Sequence, residues 1–107
     1  MAFEPMEDAA DLVAVLAALD TPQEVGALLE DLFTVREVKE ISQRLAVAQL
    51  LSEGRSYASI ESATGASATT IARVSKCLSY GAGGYRSALE VLRREDGDAG
   101  EDSDACD

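Results

Sequence analysis

The sequence predicts an all-α fold, and three observations predict it. Apolar residues recur at three- and four-residue spacing through most of the first 94 positions, which is the helical period. No segment alternates as a half-buried strand would, and no internal repeat of useful length is present. Helix start signals stand ahead of the periodic runs, with prolines and glycines between them. At 107 residues the chain suits one small helical domain over 1–94, with an acidic, low-complexity tail over 95–107 expected to be disordered.

The first helix is predicted over 7–19, where Leu12, Val13, Val15, Leu16 and Leu19 spread over more than half the helical circumference. So broad an apolar face needs more cover than one small domain readily supplies. Thr21-Pro22-Gln23-Glu24 combines a cap hydroxyl, proline at the first helical position and a carboxylate three residues after the cap. A second helix over 22–32 follows, burying Val25, Leu28, Leu29 and Leu32. Thr34 with Glu37 repeats the signal and opens a central helix over 35–53 along Val38, Ile41, Leu45, Ala48 and Leu51, stopped by Gly54.

Residues 57–78 read as a helix-turn-helix. Ser56 caps a short helix that ends at Gly65, and Ser67 caps a second beginning at Ala68. Ala58 and Ala63 are small enough for close helix packing, Ile60, Ile71 and Val74 form an inner wedge, and Ala66 fills the inside of the turn. The outer face then carries Ala68, Thr69, Ala72, Arg73 and Lys76, with Ser67 at its start. Short side chains there would let the helix enter a major groove, with Thr69 hydrogen-bonding and the alanines meeting thymine methyls. An ordinary antiparallel helix pair would need neither the Gly turn nor the cationic outer face. After it, Ser79-Tyr-Gly-Ala-Gly-Gly-Tyr-Arg86 lacks the preceding strand and following Lys-Ser/Thr of a phosphate loop, and is read as a mobile turn into a last helix over 84–94.

Composition prunes the chemistry. With no His, the Ser-His-Asp and Cys-His nucleophile pairs are excluded, so no catalytic residues are assigned and no enzyme is expected. Cys77 and Cys106 resemble neither a disulfide framework nor a zinc site, the tail lacks the spacing of a calcium loop, and no metal or cofactor is assigned. No run approaches the ~18 apolar residues of a membrane span and no leader pattern opens the chain, so a cytoplasmic protein without membrane association is expected.

The net charge of -11 argues at first against nucleic acid. Its distribution reverses the argument. Residues 1–35 hold eight acids and no base, and residues 95–107 hold seven acids; all nine cations lie in 36–94, which is net +4. A basic centre between acidic ends is compatible with DNA, though charge so modest predicts weak non-specific binding.

The run Thr34-Val-Arg-Glu-Val, Gln43-Arg-Leu, Leu50-Leu-Ser-Glu-Gly-Arg-Ser-Tyr57, Thr64-Gly-Ala-Ser-Ala-Thr-Thr-Ile-Ala-Arg-Val74 and Cys77-Leu-Ser-Tyr-Gly-Ala-Gly-Gly-Tyr-Arg86 closely resembles the YerC/YecD group of Trp-repressor-related proteins. The likeness covers about 25–92. It implies an intertwined helical homodimer, with the helices over 7–32 as dimer surface, binding palindromic operator DNA through paired helix-turn-helix units. The Trp repressor holds L-tryptophan between its central helix and its helix-turn-helix. Positions of that pocket match at Thr34, Arg44, Thr70 and Arg73, but the family's glycine is Val74 here and its serine is Cys77. A valine would fill indole volume, so tryptophan is not expected as effector and any other effector is unidentified. The function expected is a sequence-specific transcriptional regulator; the alternative is a helical dimeric protein-interaction module that does not bind DNA.

Overall fold

A computed structural model of the chain describes residues 9–106, with the side chains of 9–95. The described residues form six helices: α1 Ala10–Ala18, α2 Pro22–Leu32, α3 Val35–Ser52, α4 Tyr57–Thr64, α5 Ala68–Tyr80 and α6 Gly84–Cys106. Among the described residues there is no strand. Residues 7 and 8 of the expected first helix lie outside the described residues.

The cap signals work as read. At α2, Thr21 Oγ1 accepts from the Glu24 N–H at 3.1 Å and donates to Glu24 Oε1 at 3.0 Å. At α3 the box is fully reciprocal, the Glu37 N–H donating to Thr34 Oγ1 at 3.1 Å and the Thr34 N–H to Glu37 Oε1 at 2.9 Å. The α2 cap thus satisfies one backbone N–H and the α3 box two, donors that a helix start otherwise leaves without partners. Gly54, at φ 81°, closes α3, and the Arg55 N–H returns to the Leu50 carbonyl at 3.1 Å.

The chain divides into two units, Met1–Lys39 and Glu40–Asp107. In the first, neither α1 nor α2 contains a buried residue. Val25, Leu28 and Leu29 are half-buried as the period requires, but Leu32, expected inside, is 51% exposed. It follows Leu28 by one turn at the very end of α2, where the described residues of the unit leave half of it in solvent. Val13, Val15 and Leu16 are also exposed.

The second unit holds a small dense core of Val47, Ala48, Ile60, Ala66, Ile71 and Val74, with Leu50, Leu51, Leu78, Tyr85 and Leu89 packed against it. Ala48 was expected there, whereas Ile41 is exposed and Val47 is wholly buried. Two adjacent residues of α3 enter the core, so a single line at three- and four-residue spacing captures only one of them. Ala58 and Ala63 are exposed; the small residues that permit close packing are Ala48 and Ala66.

α6 also departs from expectation. Its backbone is helical to Cys106, so the predicted end at 94 is passed and the tail expected to be disordered over 95–107 continues as helix to residue 106. No proline blocks it, and Asp, Glu and Ala tolerate the helix; Gly97 and Gly100 each cost about 1 kcal/mol relative to alanine without forbidding it.

Candidate nucleic-acid interface

The helix-turn-helix is built by four local devices and one long-range bond. Ser56 Oγ accepts from the Ser59 N–H at 3.1 Å, starting α4. Gly65 ends it in the left-handed region at φ 77°, its N–H donating to the Glu61 carbonyl at 2.8 Å. A residue with Cβ is disfavoured in that conformation, which accounts for glycine here. Thr64 Oγ1 donates to the Ile60 carbonyl at 2.8 Å and accepts from the Ala66 N–H at 3.1 Å, so one hydroxyl closes one helix and holds the turn. Ser67 then caps α5 by accepting from the Thr70 N–H at 3.2 Å.

The long-range bond comes from α3. Gln43 Nε2 donates to the Thr64 carbonyl at 3.1 Å, tying the turn to the central helix across 21 residues of sequence. Its donor is an unremarkable glutamine, and no periodicity marks it.

The core and these bonds give α5 two unlike faces. Ile71 and Val74 are buried, whereas Ser67, Ala68, Thr69, Ala72, Arg73 and Lys76 are all exposed. These six residues share the solvent exposure expected of them. Ser67 has a second duty, since its oxygen is engaged in the cap. A short, largely small-residue face ending in two cations is chemically suited to meeting base edges and phosphates.

The residues carried over for an effector pocket are only partly brought together. Arg44, Arg73, Val74 and Cys77 line one open cavity of about 230 Å³, joined by Tyr85, which the sequence reading did not place there. Thr70 does not line it; its Oγ1 accepts from Ser67 Oγ at 3.1 Å. Thr34 belongs to the first unit and is engaged in its own capping box. The cavity falls below the roughly 300–1,000 Å³ usual for ligand sites, and Val74 is 1% exposed, its side chain committed to the core. A wider cavity, about 530 Å³, opens between α3 and α6 near Gln49, Glu53, Arg86 and Arg93.

The model of the Trp repressor protein family matches residues 7–93. The chain belongs to that family. YerC of Bacillus subtilis (strain 168), itself uncharacterized, is 41% identical over 78 residues, covering 73% of this chain and 75% of the relative. A solved structure from Staphylococcus aureus, described as a candidate Trp repressor, matches with a TM-score of 0.77 at 31% identity, covering 86% of this chain and 96% of that one. A TrpR-like protein from Eubacterium eligens matches with a TM-score of 0.75 at 37% identity over 80% and 89% of the two chains. The Trp-repressor-like helical fold expected from the sequence is thereby established, and among the described residues no helix is long and apolar enough to cross a membrane.

Proposed function

We propose that this family member is a cytoplasmic, sequence-specific DNA-binding transcriptional regulator without enzymatic activity, acting as a homodimer on palindromic sites. The observation that carries the reading is the division of α5: Ile71 and Val74 fix one face in the core, leaving Ala68, Thr69, Ala72, Arg73 and Lys76 free on the other. Family membership supports it. The uncovered apolar side chains of α1 and α2 supply surface for a second copy. Two copies of α5 would then read half-sites about 34–36 Å apart. Val74 and the small cavity beside it support a regulator that does not respond to tryptophan.

Selection from a random DNA pool followed by mobility shifts tests this. Wild type should retain a palindromic site and lose affinity as salt rises, and Arg73→Ala should weaken binding by about 1–3 kcal/mol. Absence of binding at low salt, or indifference to Arg73→Ala, refutes it. A protein partner captured equally by wild type and Arg73→Ala, without enriched DNA, would favour an interaction module.

A further inference from the structure

A glycine-rich turn joins α5 to α6. It begins at Gly81, whose backbone returns so closely on α5 that a Cβ there would stand 2.4 Å from the Cys77 carbonyl oxygen. The Gly81 N–H donates to that same oxygen at 2.8 Å. Gly83 adopts φ 91°, and α6 starts directly after it. This tight reversal brings Arg86, in the first turn of α6, back to the end of α5. Arg86 Nε donates to the Leu78 carbonyl at 3.0 Å and its Nη2 donates to the Ser79 carbonyl at a longer 3.5 Å.

The last carbonyls of a helix have no partner within it and form the negative end of its dipole. Here Cys77, Leu78 and Ser79 are each satisfied from outside α5, the first by Gly81 and the other two by one guanidinium. Arg86 thus supplies both a fork of donors and a positive charge at the end where each is favoured. Lys76, at the far end of the outer face, sits just one turn before this cap.

The geometry points to Arg86 as a positioning residue for DNA recognition, holding the last turn of α5 from the neighbouring helix without itself touching DNA. This rests on the DNA-binding reading above. A cap of this kind keeps the end of α5 from fraying, so Arg73 and Lys76 meet DNA already in place and less ordering is lost on binding.

The test uses the full-length protein and its selected DNA site, comparing wild type with Arg86→Gln, Arg86→Lys, Arg73→Ala and Lys76→Ala. Arg86→Gln should weaken specific binding by about tenfold while the slope of log affinity against log salt stays at its wild-type value, since no phosphate contact is removed. Amide exchange at residues 79–81 should quicken in the same variant. Arg86→Lys, which restores the charge but not the fork, should recover only part of the affinity. Lys76→Ala should instead lower the salt slope by about 1. Wild-type affinity in both Arg86 variants overturns the positioning role, as does a reduced slope in Arg86→Gln that lysine restores, the signature of a phosphate contact. These outcomes are separable from failure of the functional reading: there, wild type itself binds no DNA, and this role falls with it.

Discussion

The two units of this chain use similar aliphatic residues to opposite effect. In Glu40–Asp107, six residues from α3, α4, α5 and the turn disappear from solvent. In Met1–Lys39, α1 and α2 are at least as rich in Leu, Val and Ala, yet no residue of either helix is buried. The difference lies in how the apolar positions are arranged. The second unit bends its chain sharply at Gly65, so that two short helices and a spine enclose one another. The first offers two helices whose apolar residues exceed what they cover, a surface that the proposed second copy would complete.

The sharpest way to break that contrast is to open the enclosed core. Ile71→Ala, at a site with no exposure, should destabilise the protein by about 2–5 kcal/mol in denaturant titration. A smaller loss should follow Gly65→Ala, about 1–2 kcal/mol, because φ 77° disfavours any Cβ while the space around it is adequate, Gln43 Nε2 lying 3.9 Å away. The smallest should come from Val13→Ala, which at 45% exposure should cost less than about 1 kcal/mol in dilute protein. That last figure sharpens the contrast when protein concentration is varied. If a second copy covers α1, the wild-type Tm should rise with concentration and the penalty of Val13→Ala should grow with it; a Tm independent of concentration in both would remove the homodimer from the proposal.

How far these features were legible in the sequence depends on the range of the interaction that makes them. Caps and stops act over three or four residues, and Thr21, Thr34, Ser56, Gly65 and Ser67 all behave as their local context implies. The wedge of Ile60, Ala66, Ile71 and Val74 was equally readable, because a short helix pair leaves few ways to pack. What escaped depends on distant partners. Val47 is buried because α3 presents two adjacent residues to the helix-turn-helix, and Leu32 is exposed because none of the described residues of its unit closes over it. The Gln43 bond to Thr64 and the approach of Tyr85 to the cavity beside Arg73 carry no sequence periodicity at all. At α6, a pair of arginines resembled a helix end, but the residues beyond them permit the helix to continue.

The independence of the outer face of α5 has a consequence for how such a protein can diversify. Ala68, Thr69, Ala72 and Lys76 are exposed and lend no side chain to the core or to the hydrogen bonds found among the described residues. Ser67 and Gly65, which shape the turn, sit beside them but outside that set. New side chains can therefore be tried at these four positions with little penalty to folding, as letters are exchanged in a fixed typeface. On the proposed DNA-binding reading, the scaffold would permit a change of target sequence in single steps, each passing through a folded protein.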